Sequence, residues 1–129
     1  MTTNQPRVAF VTGAARGIGA ATVRRLVADG LNVLALDSCQ GDDQARGPGY
    51  PLASNAELQA LASGLGDRVM PVVADVRDRD ALASAVAAAV ERWGRLDVAV
   101  AAAAVIAGGQ PLWETKDAEL DLLWDVDVR

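Results

Sequence analysis

A chain of 129 residues with 51% apolar composition is sized for one compact domain with a core, which excludes a disordered segment. The net charge of −5 argues against nucleic acid as a partner, because phosphate backbones are bound by basic surfaces. With no histidine, histidine-based triads and the usual zinc sites are excluded, and the single cysteine, Cys39, cannot form an internal disulfide.

No apolar run reaches the ~18 residues of a membrane helix, so no membrane partner is expected. Met1-Thr2-Thr3-Asn4-Gln5-Pro6 lacks the basic-then-apolar pattern of a leader. A lone cysteine fits a reducing compartment, and the expected location is the cytoplasm.

Arg7 to Val11 reads as a first strand, apolar on both faces as parallel strands are. It runs into Thr12-Gly13-Ala14-Ala15-Arg16-Gly17-Ile18-Gly19, and a helix is predicted from Gly17 to Asp29. Ile18, Thr22 and Leu26 share one face of that helix, with Val23 and Val27 beside them, and Gly30 stops it. A glycine turn between a strand and a helix start is the context of a dinucleotide fingerprint. Amides at a helix N-terminus attract a phosphate, and glycines let the backbone approach it.

Asn32 to Leu36 is the second strand, and it ends in Asp37. Dinucleotide folds place an acid about 20 residues after the glycine turn, where it accepts hydrogen bonds from the adenosine ribose. A carboxylate there repels a 2′-phosphate, which favours NAD over NADP. Arg16 is the counter-signal, since a basic residue in the turn can serve a phosphate. Ser38 to Ala53 reads as a long loop that either folds over the adenosine end or is a disordered insertion.

Ser54-Asn55-Ala56-Glu57 reads as a capping box opening a helix through Ala62, with Gly64 and Gly66 ending it. Val69 to Ala74 is the third strand. Asp78 is the predicted cap of a helix from Arg79 to Trp93, which leaves Asp75 free. Leu82, Val86, Val90 and Trp93 form its expected buried stripe, and Gly94 closes it. Leu96 to Ala101 is the fourth strand. Thr115 is the expected cap of a last helix from Lys116 to about Val128, with Leu120, Leu123 and Trp124 as its apolar side.

The pattern predicts one α/β domain over residues 1–129, a doubly wound parallel sheet of Rossmann type. Right-handed crossovers give the strand order 3-2-1-4. The fourth strand would then be an open apolar edge, from which self-association is expected.

The Gly-x-x-x-Gly-x-Gly spacing after Thr12, Asp37 and the pair Asp75-Val76 together resemble the short-chain dehydrogenase/reductase family. The resemblance covers the whole chain but about the first half of such an enzyme. It implies an NAD-dependent oxidoreductase, acting on an alcohol or carbonyl and usually homo-oligomeric. It implies cofactor contacts from Thr12, Gly13, Ala15, Arg16, Gly17, Ile18 and Gly19. It also implies that Asp75 receives the adenine amino group and that the Val76 amide meets a ring nitrogen. The family's Asn-Asn-Ala-Gly run is here Ala101-Ala102-Ala103-Ala104, so Ala102, Ala103 and Ala104 would contact the cofactor through backbone groups. The family's helix asparagine aligns with Asp127, which when ionised only accepts hydrogen bonds. The catalytic serine and Tyr-x-x-x-Lys pair have no counterpart: Tyr50 has no lysine four residues on, and Lys116 is the only lysine. Val105 to Glu114 resembles the mycofactocin-coupled subgroup, which implies tightly held NAD recycled by a peptide-derived electron carrier. A stand-alone nucleotide-binding module and a degenerate fragment remain the alternatives.

Overall fold

Four short strands carry the apolar sequence into one parallel sheet, as their near-continuous Val, Leu and Ala content requires. The computed structural model describes residues 4–42 and 48–129, so the first three residues and positions 43–47 of the expected long loop lie outside the described residues. The strands are β1 (Val8–Thr12), β2 (Asn32–Asp37), β3 (Val69–Val73) and β4 (Val98–Ala101). Their order is β3-β2-β1-β4, as the crossover argument predicts, with Phe10 opposite both Leu34 and Ala99. The helices are α1 (Gly17–Ala28), α2 (Asn55–Leu65), α3 (Arg79–Trp93) and α4 (Asp117–Leu123).

Alternation along the strands feeds two cores, one per face of the sheet. On one face Ala9, Val11, Val33 and Ala35 pack with Val23 of α1 and Leu58 and Leu61 of α2. On the other, Leu34 and Leu36 pack with Ala85 and Ala89 of α3, flanked by Phe10, Met70, Val72, Leu82 and Trp93. Trp93 is therefore core, and the Arg92 guanidinium lies 5.0 Å from its ring centroid.

Two predicted helix faces need correction. In α1 the buried positions are Gly19, Ala20 and Val23, while Ile18 is 82% exposed. The first turn of α1 presses small residues against the sheet and turns the large Ile18 outward. In α3 the buried pair is Ala85 and Ala89, and Val90 is 42% exposed. The stripe thus runs through Leu82, Ala85, Ala89 and Trp93 instead of through Val86 and Val90. The small residues of α3 face the sheet, and apolar identity alone does not report which face that is.

Boundaries also move. β1 lies one residue later than expected, β3 stops at Val73, and β4 begins at Val98. Helix α2 continues through Gly64 to Leu65 and is closed by Gly66 at φ +71°. The start of the long loop is a 3-10 turn, Gln40–Asp42; further ones follow α2, Gly66–Arg68, and precede α4, Leu112–Glu114. Thr115 does not cap the last helix; Lys116 holds that position, and Glu119 Oε2 accepts from the Lys116 amide at 3.4 Å. The helix gives way to a wider turn over Trp124–Val128. Of its expected apolar side, Leu120 and Trp124 are exposed and Leu123 is half-buried.

The corrected register of α3 makes a discriminating pair of substitutions. Ala89→Leu overfills the interface with the sheet and should lower stability by about 1–3 kcal/mol in urea denaturation. Val90→Ser should change it by no more than about 0.5 kcal/mol.

Candidate functional site

The carboxyl ends of the strands open onto one cleft of about 270 Å³, where open α/β sheets place their ligands. Thr12 ends β1, and its hydroxyl oxygen accepts from the amides of Ala102 and Ala103, each at 3.2 Å. The exits of β1 and β4 are thus tied together. Gly13 follows at φ +65°, and a Cβ there would lie 2.7 Å from the backbone of Ala103. Only glycine meets both demands, the left-handed conformation and the close approach. A Cβ on Gly19 would collide with the carbonyl oxygen of Gly13, so the helix start can press onto the turn only without a side chain there.

Helix α1 opens without a side-chain cap. Arg16 stands at the cap position and contributes no capping hydrogen bond, and the first turn contains no acid. The usual partners of the first helical amides are therefore missing. Gly17, at φ +59°, has no neighbouring atom within 4 Å of where a Cβ would stand. The mouth of α1 is left accessible on the cleft side.

Asp37 closes β2 at the edge of this mouth. Its Oδ2 accepts from the Ala15 amide at 3.1 Å and its Oδ1 from the Cys39 amide at 3.0 Å. The carboxylate clamps the glycine turn to the start of the next loop, and it retains acceptor capacity on both oxygens. Cys39 is buried, with a backbone φ of +52°.

Two predicted site residues are held differently from expectation. Asp75 is not free: its carboxylate accepts from Arg77 Nη2 at 2.6 Å, from the Arg77 amide at 2.9 Å and from Gln40 Nε2 at 3.1 Å. The Arg77 guanidinium draws its pKa below the ordinary carboxylate value. Asp78 does cap α3, accepting from the Ala81 amide at 3.0 Å, but the vacancy that this was expected to leave at Asp75 is filled by Arg77. Arg16 forms a two-pronged pair with Glu57, Nε to Oε1 at 3.1 Å and Nη2 to Oε2 at 2.9 Å.

Val76, Ala102, Ala103 and Ala104 line the cleft with Asp75. Asp127 does not line it; its Oδ1 accepts from the Val105 amide at 2.9 Å, just beyond β4. Tyr50 reaches across from the early loop, its hydroxyl accepting from the Ile106 amide at 2.8 Å. Sequence reasoning passed over Gln40, Tyr50, Arg77 and the second role of Glu57. Glu57 was legible as a helix cap, but nothing in the spacing joined it to a residue 41 positions earlier. Among the described residues no group of three or more acidic or cysteine side chains could hold a metal ion, and no helix is long and apolar enough to cross a membrane.

A parallel sheet with order 3-2-1-4, a glycine turn at the crevice and an acid ending the second strand define a Rossmann-type nucleotide-binding class of fold. The short chain dehydrogenase family profile matches residues 7–129, and the chain belongs to that family. An uncharacterized NAD-dependent oxidoreductase of Mycobacterium tuberculosis is 37% identical over 125 residues, which cover 95% of this chain and 44% of that protein. A carveol dehydrogenase from Mycobacterium avium, solved in complex with NAD, superposes with a TM-score of 0.82 at 34% identity, covering 96% of this chain and 45% of the other. A short chain dehydrogenase from Burkholderia cenocepacia, in complex with NADP, gives 0.77 at 31% identity, covering 97% and 46%. The chain spans less than half the length of the curated relatives it matches.

The Arg16–Glu57 pair sets an acid limit. The guanidinium and the Ser54 amide hold the Glu57 carboxyl at about 2, against an ordinary 4.5. A depressed folded-state pKa gives stability that is present above 4.5 and lost as pH falls toward 2. Thermal melts of the wild-type chain and Glu57→Gln should therefore differ at pH 6 and converge by pH 2. A constant difference across that range would contradict the pairing.

Proposed function

We propose that this chain forms the cofactor-binding portion of an NAD-dependent oxidoreductase of the short-chain type. One observation carries the reading: an uncapped helix mouth, a glycine turn and an acid meet at the carboxyl ends of β1 and β2. In this reading the amides from Gly17 to Gly19 receive the diphosphate, helped by the dipole of α1. Thr12, Gly13 and Ala15 shape the turn, and Ile18 stands exposed beside it. Asp37 receives the adenosine ribose, while Asp75 and Val76 face the adenine. For Asp75 that role means sharing a carboxylate already engaged by Arg77 and Gln40. Backbone groups of Ala102, Ala103 and Ala104 border the path toward the nicotinamide.

NAD is favoured over NADP because Asp37 would oppose a 2′-phosphate. The NAD-bound neighbour supports that choice, although a neighbour in complex with NADP has a similar fold. When bound, the nicotinamide supplies or accepts the hydride exchanged with an alcohol or carbonyl. This chain's residues bind and orient the dinucleotide. Asp127, at the family's asparagine position, braces the backbone after β4 by accepting from Val105. Serine and Tyr-x-x-x-Lys catalysis has no counterpart among these residues, and on this reading the 129 residues bind cofactor without turning substrate over. The resemblance of Val105 to Glu114 supports a reading as a mycofactocin-coupled enzyme, in which NAD would be recycled by a peptide-derived carrier in the cytoplasm.

Asp37 gives the direct test. Asp37→Ala should weaken NAD binding about tenfold, since hydrogen bonds to a charged group contribute roughly 1.5–3 kcal/mol. It should also narrow the gap between NAD and NADP. Calorimetric titration with both dinucleotides measures the two effects, and unchanged affinities would refute the role given to Asp37.

β4 lies at the end of the sheet order and leaves an edge open to pairing. The chain should therefore self-associate at high concentration, and a single sharp monomer boundary in sedimentation velocity would count against it.

A further inference from the structure

The cleft contains a cation that the cofactor reading leaves idle. Arg16 lines it close to Asp37, and among the described residues it is the only basic side chain in that lining. A guanidinium at the adenosine end is the natural partner of a 2′-phosphate. Here that guanidinium is already engaged. It makes two bonds to the Glu57 carboxylate at 3.1 and 2.9 Å, one to the Pro51 carbonyl at 3.1 Å and one to the Leu52 carbonyl at 3.3 Å. Four of its five N–H donors are thereby occupied.

The counter-ion is held as firmly as the cation. Glu57 is the third residue of α2, and its Oε2 accepts from the Ser54 amide at 2.7 Å and from the Ser54 hydroxyl at 3.2 Å. The capping box holds the carboxylate independently of Arg16, so little side-chain freedom is lost in forming the pair. Exposed ion pairs are weak when both partners are loose, but a two-pronged pair with one partner anchored escapes most of that cost.

We propose that Glu57 is a specificity-determining residue: it holds Arg16 against the start of α2 and so denies a 2′-phosphorylated dinucleotide its cation. Discrimination then has two parts. Asp37 repels the phosphate directly, and Glu57 withholds the group that would offset the repulsion. The inference rests on the cofactor reading above.

The test separates the two parts on the chain as it stands. Asp37→Asn removes the direct repulsion and keeps one of the two acceptors that serve the Ala15 and Cys39 amides, and it is the common background of every comparison that follows. Glu57→Gln, added to it, deletes the charge but keeps the acceptor that a capping box accommodates. Calorimetry should find NADP bound about tenfold more tightly by the double variant than by Asp37→Asn alone, the gain of a charge-assisted contact. NAD affinity should move by less than about threefold. Adding Arg16→Met should abolish the gain. Unchanged NADP affinity in the double variant, or a gain that survives Arg16→Met, would overturn the inference while leaving the cofactor reading intact. A wild-type chain that bound neither dinucleotide would overturn both.

Discussion

The site depends on how closely backbone can approach backbone where β1 gives way to α1. Gly13 lies against the main chain of Ala103, and Gly19 lies against the carbonyl of Gly13. Those two contacts bring the mouth of α1 down to the level of the strand ends. A helix start displaced by one side chain would aim its amides above the crevice. The glycines therefore set position first, and their freedom to adopt positive φ serves that position.

Hydrogen bonds from two side chains then secure the arrangement. Thr12 bridges the exits of β1 and β4 through a single hydroxyl oxygen. Asp37 bridges the glycine turn and the loop after β2 through its two carboxylate oxygens. Each satisfies backbone amides that would otherwise face a partly dry crevice, where an unmet donor costs about 1–3 kcal/mol. The same groups border the proposed cofactor path, so rigidity and recognition draw on one set of atoms. The bridge does not depend on side chains in the alanine run: Thr12 binds the amides of Ala102 and Ala103, and those exist whatever the side chain.

The sheet order was legible because it follows from chirality and from which segments are apolar throughout, and neither requires packing detail. The caps at Ser54 and Asp78 were legible for a similar reason, being set by residues three apart. The helix faces were not. In α1 and α3 small residues such as Gly19, Ala20, Ala85 and Ala89 are buried while Ile18 and Val90 are exposed. A periodicity count cannot weigh Ala85 against Val86. Side-chain pairing across the cleft was equally hidden. Arg77 pairs with Asp75 two positions away, but Gln40 reaches it across 35 residues, and only the fold makes that pair neighbours.

Charge at the cleft illustrates how such pairing changes a functional reading. By composition alone the glycine turn offers one arginine and the second strand one aspartate, and the two argue for opposite cofactors. The fold adds a third charge, Glu57, from an element that sequence reasoning assigns only to capping. Once Arg16 is counted with Glu57 the turn is electrically neutral, and Asp37 stands as the unopposed charge at the end of β2. A neutral turn still receives a diphosphate, because amides and the helix dipole do not need a formal cation. On the proposed reading the additional charge of a 2′-phosphate has no such provision, and the conflict between Arg16 and Asp37 would resolve in favour of the unphosphorylated ribose.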